Sequence, residues 1–457
     1  MSRPKIALLT VATFMLFLDT TVVNVALERL GAEIGGGVSA LQWVLDGYTV
    51  ALTVGLAAAG SLVDRYGAVP VALLGTALFT AASVVCALAP TFEVLLAGRV
   101  AQGLGAAVVV PASLSLITVT YPAGPARSRA VAVWSAVSAV ALAVGPVVGG
   151  VLVHAAGWRS IFWLNVPVGV AVCAGLAWRS VGGPVRTGGA RVDGVGVAIL
   201  GAALLGCAVV VIDRRPPGPA GLVLAAALLV TATMVLLPRG RVRQNAVLPT
   251  ALVTRVEVAA LLGVGGAAFA GLYAFVFLVP LSDQAAFDRT ALGTGAAFLP
   301  LTVTLFAVGL VAGRLAERFA ERTLVGGGLA AMAVGTGVVG AGLDPSAPWR
   351  PLALVLVGAG VTLALTPATI ALLRFAGADR AGVMTSTSNL VRNVGGVLGV
   401  AVAGWALHAG GTSLPRGAQL VDRVGASLTA VAVALAVVAA VFLLACPPAL
   451  TRRGLAP

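Results

Sequence analysis

The stretch GSLVDRYG, residues 60–67, returns as GRLAERFA at residues 313–320. Gly60 matches Gly313, Asp64 matches Glu317 and Arg65 matches Arg318, all at an offset of 253. Further along, GGVLVHAAG at 149–157 resembles AGWALHAGG at 403–411, with Gly150 against Gly404 and His154 against His408 at an offset of 254. A nearly constant offset between separate matches, kept in the same order, means that one unit occurs twice in the chain.

Composition says what kind of unit it is. The 457 residues are 59% hydrophobic and only 10% charged, whereas a soluble globular domain carries about 25% charged residues. A membrane-crossing helix needs about 20 mostly apolar residues. Fourteen segments meet that test, near 6–27, 43–62, 70–90, 93–119, 130–153, 159–178, 192–212, 219–237, 256–281, 290–313, 323–343, 351–373, 381–408 and 424–446. The repeat leaves 192–212 and 219–237 without partners. The expected fold is therefore an all-α integral membrane protein of two six-helix bundles, residues 1–190 and 241–457, with a helix pair inserted at 191–240. RSVGGPVRTGGAR and PRGRVRQNAVLP flank that pair and read as linkers, being rich in Gly, Pro and Arg. The N-terminal apolar run is too long for a signal peptide and lacks a clear small-residue cleavage site, so it reads as an uncleaved first span.

An even number of spans puts both termini on one side. With that side inside, 19 basic residues fall on inner segments and 8 on outer ones, and Arg99 and Arg392 lie within spans. This bias places both termini in the cytoplasm of a bacterial cell membrane. The net charge of +13 is scattered over short loops, so it implies no nucleic-acid partner. Cys86, Cys173, Cys207 and Cys446 are far apart and form no CxxC, which argues against both a metal site and a disulfide framework. Lys5 is the only lysine, so a GxxxxGK[ST] phosphate loop is impossible in this chain and an ATP-driven pump is disfavoured.

Charges inside spans are costly, about 2.5–3.5 kcal/mol for an ionised Asp at the centre. The run LFLDTTVVNVAL, 16–27, contains one at Asp19. At about 1.5 Å per residue Asp19 lies roughly 10 Å below the outer boundary, and Arg99, six residues into its span, lies roughly 9 Å below it. Two opposite charges at one depth in one bundle fit a proton-coupling pair, or a permanent ion pair that orients helices. In GPVVGG, 145–150, Gly145 and Gly149 share a helix face with Gly150 beside them, and Pro146 removes a backbone donor. This pattern suits close packing, or a helix that flexes during a cycle. Asp64 and Arg65, with their repeat partners Glu317 and Arg318, close spans at the inner face and suit a gating latch. Gln42, Trp43, Asp46 and Tyr48 open the second span, as part of a substrate entrance or as an interface anchor. Asn24, Gln102, Asn165, Asn389, Arg392 and Asn393 are further candidates to line a cavity, as Gln42 and Asp46 are.

Together these residues resemble the major facilitator superfamily, and most closely its fourteen-spanner drug/proton antiporter branch. LDTTVVNVAL, 18–27, is similar to the branch's first-span signature, which normally ends in Pro where Glu28 stands. GSLVDRYG is similar to the loop signature after the second span, with Ala68 and Val69 where basic residues are usual. RVAQGLGAAVVVP (99–111), AVGPVVGG (143–150) and WRSIFWLNVPVG (158–169) resemble the signatures of spans four, five and six. The resemblance implies export driven by proton entry. Asp19 and Arg99 would carry coupling, Gly145, Pro146 and Gly149 would tie the cycle to antiport, Asp64 would gate the inner face, and two bundles would rock around a midplane cavity. The expected protein is no enzyme and takes no cofactor beyond the proton gradient. It is monomeric in the lipid bilayer and exports small amphipathic or cationic compounds such as drugs or antibiotics. Proton-driven import of a small metabolite shares the fold and remains the alternative, while a membrane-embedded enzyme finds neither a metal pattern nor room in the loops.

Overall fold

The computed structural model describes residues 3–35, 37–121, 125–178, 194–212, 227–228, 231, 253–376, 381–408 and 417–445. All regular structure among the described residues is helical. The helices are α1 (Arg3–Val22), a 3₁₀ turn (Val23–Ala26), α2 (Leu27–Ile34), α3 (Gly37–Tyr66), α4 (Ala68–Ala87), α5 (Phe92–Thr120), α6 (Pro125–Ala156), α7 (Arg159–Trp178), α8 (Gly194–Ile212), α9 (Val256–Ala285), α10 (Ala291–Ala297), α11 (Leu299–Arg318), α12 (Glu321–Ala341), α13 (Arg350–Ala376), α14 (Ala381–His408) and α15 (Ala418–Ala445). With no water in a bilayer core to satisfy backbone groups, runs this apolar must bond within themselves, and the helix does so.

Eleven described stretches are long and apolar enough to cross a membrane. α6 and α8 add the shorter apolar stretches Val144–Ala156 and Gly194–Cys207. The expected span 219–237 lies almost wholly outside the described residues, so the full set of fourteen and the inserted pair are not seen. The first span runs further than its apolar core suggests, through the 3₁₀ turn and α2 to Ile34.

Contacts divide the chain into two units, one built on Met1–Gly206 and one on Leu248–Arg289 with Ala296–Pro457. Each has the same internal pairing. In the first, α3 and α4 pack on α5, α1 packs on α6, and α7 packs on both α4 and α1. In the second, α11 and α12 pack on α13, α9 packs on α14, and α15 packs on both α12 and α9. The repeat read from short motifs thus extends to whole-helix packing.

Glycine pairs make a close crossing at the same place in both units. A Cβ on Gly105 of α5 would lie 2.7 Å from the Gly75 carbonyl of α4, and one on Gly360 of α13 would lie 2.6 Å from the Gly328 carbonyl of α12. Gly328 is Gly75 plus the motif offset of 253. Side chains there would separate the helices, so small residues set the crossing distance.

Candidate functional site

The polar run after Asp19 shapes its surroundings. Thr20 Oγ1 donates to the Leu16 carbonyl (3.0 Å) and Thr21 Oγ1 to the Leu18 carbonyl (3.3 Å). Asn24 Nδ2 donates to the carbonyls of Thr20 (3.4 Å) and Thr21 (3.2 Å). Side chains competing for ladder carbonyls disturb a regular α-helix, and the chain tightens into the 3₁₀ turn at Val23–Ala26.

Asp19 and Arg99 meet directly. Arg99 Nη1 donates to Asp19 Oδ2 at 2.6 Å, and both residues are 1% exposed. Asn165 Nδ2 of α7 donates to Asp19 Oδ1 at 2.7 Å, so both carboxylate oxygens have partners. The guanidinium is held as firmly. Nε donates to the Val44 carbonyl of α3 (3.0 Å), Nη1 also donates to Gln102 Oε1 (2.8 Å), and the Tyr48 ring lies 4.4 Å from the guanidinium carbon. Gln102 Nε2 in turn donates to Ser83 Oγ of α4 (2.8 Å). Five helices, α1, α3, α4, α5 and α7, therefore converge on one buried charge pair.

Gly145 and Gly149 of α6 lie on α1 just beyond this pair. A Cβ on Gly145 would collide with Thr21, and one on Gly149 would lie 2.7 Å from the Val22 carbonyl. Pro146 and Gly150 are buried as well. Gly150 faces the Ala291 carbonyl, in the short segment Thr290–Gly295 that clusters with the first unit.

Asp46 differs from its expected place. Its helix begins at Gly37, so it does not open the span but sits in the tenth position of α3, 1% exposed, and neither carboxylate oxygen has a hydrogen-bond partner. Val44 and Tyr48, four residues apart, serve Arg99 from one face of α3; Asp46 lies between them in sequence and hence on the other face. Asp19 is thus not alone as an acid inside the first unit. The apolar segment 43–62 leaves out Gln42 and puts Asp46 near its start, whereas the helix containing both begins at Gly37.

Over residues 9–400 the sequence matches the family described as the Major Facilitator Superfamily. The chain belongs to that superfamily. It is 34% identical over 419 residues to the methylenomycin A resistance protein of Streptomyces coelicolor, covering 89% of this chain and 86% of that protein. It is 31% identical over 400 residues to the multidrug resistance protein Stp of Mycobacterium tuberculosis, covering 87% and 74%. A solved structure of a proton-dependent oligopeptide transporter superposes with a TM-score of 0.70 over 97% of this chain and 98% of that one, at 12% identity, a likeness of fold alone.

As a major facilitator the protein is a multi-pass membrane transporter and not an enzyme. Its other expected residues are more dispersed. Arg65 is exposed and lies over the Tyr66 ring at 5.2 Å; Arg318 is exposed at the end of α11. The side chains of Asp64 and Glu317 lie outside the described residues. In the second unit Asn389, Arg392 and Asn393, at helical spacing on α14, are all partly buried.

One feature of the second unit escaped the sequence reading. Arg350, just before the apolar segment 351–373, is the first residue of α13 and only 2% exposed. Its Nη2 reaches Asp283 Oδ1 and Oδ2 of α9 at 2.6 and 2.7 Å, and its Nη1 donates to the Leu343 carbonyl (3.0 Å). α9 and α13 hold the places in the second unit that α1 and α5 hold in the first. Both units therefore join their first and fourth helices by a buried Asp–Arg pair.

Proposed function

We propose that this transporter is a proton-coupled exporter of small amphipathic or cationic compounds, such as drugs or antibiotics, working by alternating access in the bacterial cell membrane with both termini cytoplasmic. The observation that carries this reading is the Asp19–Arg99 pair. It is a carboxylate buried at mid-helix, saturated by donors from two other helices and next to the glycine face of α6. Protonating Asp19 would release Arg99 and Asn165 and free α1 to move against α5 and α7. Gly145, Pro146, Gly149 and Gly150 would provide the surface on which α6 slides. Asp64 and Arg65, with Glu317 and Arg318, would latch the cytoplasmic ends. Asn24, Gln42, Asp46, Gln102, Asn165, Asn389, Arg392 and Asn393 remain candidates to meet substrate, and Gln102 and Asn165 would do so only when the pair opens. We place the helices at 192–212 and 219–237 beside two six-helix bundles as an inserted pair, with the protein acting as a monomer. Both relatives named above are resistance proteins, which favours export over the symport alternative.

The test uses everted membrane vesicles with an acidified lumen and a panel of antibiotics and dyes that includes ethidium. Export predicts accumulation inside the vesicles that collapses with the pH gradient. Movement in the opposite direction, or none for the entire panel, would reject the proposal.

A further inference from the structure

Near mid-span, the helices of the second unit contain a charge that the Asp–Arg pairing does not explain. Among the described residues Arg99 and Arg350 are buried within helices, and Arg392 is partly buried with its Nε enclosed. Arg99 meets Asp19 and Arg350 meets Asp283, but Arg392 meets no carboxylate. It is the twelfth residue of the 28-residue α14, near mid-span. Its one hydrogen bond in the structure runs from Nη2 to Thr369 Oγ1 of α13 (2.5 Å), and its buried Nε has no partner.

Among the described residues of the helices packed around it, no acid stands close enough to serve it. α13 and α14 contain none. On α9, Gly265 lies against the Arg392 stem, whereas Glu257 is eight residues away, about 12 Å along the helix, and Asp283 is eighteen residues away, about 27 Å. On α15, Asp422 is next to Arg423, whose Nη1 donates to the Leu407 carbonyl; that is fifteen residues along α14 from Arg392, about 22 Å. The remaining surroundings are apolar and aromatic. The Phe269 ring centroid lies 5.9 Å from the guanidinium carbon, and Phe269 stacks on Tyr273 at 5.7 Å and 21°. Gly396, one turn beyond Arg392, packs on the face of Tyr273.

We infer that Arg392 is the anchor for a carboxylate on the transported compound, with Thr369 beside it and the Phe269–Tyr273 stack against the compound's apolar body. An unpaired guanidinium at this depth is costly, and Gln or Leu would fill the same space without a charge. The cost is recovered when a carboxylate accepts two parallel N–H bonds from the planar fork, a geometry that Arg supplies and Lys does not. The substrate class is thereby narrowed to small organic acids with an aromatic or otherwise flat apolar part. This inference rests on the exporter reading and names the substrate class for it.

The test is binding to the purified full-length protein, read as ligand-induced thermal stabilisation. The panel is benzylpenicillin, naproxen and cinnamate, each beside its methyl ester, with ethidium and tetraphenylphosphonium as cations. At least one acid should stabilise the protein while its ester at equal concentration does not. Arg392→Gln should weaken that acid at least tenfold, and Arg392→Lys, which keeps the charge but loses the fork, should weaken it less. If Arg392→Gln yields no folded protein, the comparison passes to Arg392→Lys, where unchanged affinity would overturn the proposal. So would binding by none of the acids, equal binding of acid and ester, or acid binding untouched in Arg392→Gln. Vesicle transport separates this from the exporter reading. Gradient-driven accumulation of ethidium with no acid bound sinks the carboxylate site alone. Acids bound at Arg392 but never moved by the gradient sink the exporter reading alone.

Discussion

Replacing Asp19 by Asn keeps the side-chain shape and removes the charge that faces Arg99 at 2.6 Å. Breaking a buried ion pair by neutralising one member costs about 3–5 kcal/mol, because the other charge is left uncompensated. Arg99 retains the Val44 carbonyl, Gln102 and the Tyr48 ring, and Asn still offers an oxygen, so the low end applies, about 3 kcal/mol. For a unit near 200 residues that is a fall in Tm of about 6–12 °C. Adding Arg99→Gln removes the stranded cation and should return stability to within about 1 kcal/mol of the parent, recovering about 2 kcal/mol of the loss in Asp19→Asn. Thermal unfolding of the purified protein measures this arm, and gradient-driven accumulation in everted vesicles measures transport. Proton coupling through Asp19 predicts that the double variant recovers its stability and not its transport. A purely structural pair predicts that both return together. An Asp19→Asn protein with parental Tm and full gradient-driven efflux would refute the reasoning outright.

Three further outcomes follow from other parts of the molecule. Gly105→Ala and Gly360→Ala should each lower the Tm, by about 1–3 kcal/mol of overpacking, since each new Cβ meets backbone at 2.6–2.7 Å; Gly60→Ala and Gly313→Ala, with open space around them, should leave it unchanged or raised, and equal behaviour of the two sets in an unfolding assay would contradict the shared crossing. Asp283→Asn should destabilise the protein by about 3–5 kcal/mol through stranded Arg350, yet in vesicles leave the gradient dependence of the surviving protein intact; loss of that dependence at parental Tm would instead make Asp283 a coupling residue. In a cysteine-free background, cysteines at 213–218 should label from outside and those at 182–189 only after permeabilisation, and the reverse pattern would invert the topology.

Much of this was legible in the sequence wherever one residue had to stand out from an apolar run. Asp19 and Arg99 could be matched because each carries a cost at a depth that counting residues can estimate, and the structure joins them. The two-fold repeat was legible from a few loop residues and a pair of histidines, and the packing of α1 and α3–α7 recurs in α9 and α11–α15. What stayed hidden was polar chemistry near the ends of apolar runs. Asp46 looked like the rim of a span because the apolar window starts late, whereas its helix starts at Gly37. Asp283 and Arg350 each sit at a helix end, where a charge costs nothing in a linear reading; only the meeting of the end of α9 with the start of α13 buries them.

Nor does the repeat predict the second ion pair, and the mismatch is informative. An offset of 253 puts Leu272 and Leu352 where the first unit has Asp19 and Arg99. The second unit thus lacks a carboxylate at the corresponding depth and links its first and fourth helices eleven residues further along α9. Its charge near mid-span is instead Arg392, a group that remains protonated throughout the physiological range and cannot itself carry a proton on and off. A guanidinium can hold an anion, and a buried carboxylate can exchange a proton, so the two units are chemically suited to different halves of the work. That division has a testable consequence. Arg392→Gln should change which compounds are moved, losing acids before cations, while the movement that remains keeps its full dependence on the pH gradient. Asp19→Asn should do the opposite, keeping the binding of every compound the parent binds and losing the gradient dependence for all of them. If the gradient dependence instead disappears with Arg392, or the choice of compounds changes with Asp19 while coupling survives, the assignment of protons to the first unit and substrate to the second is wrong.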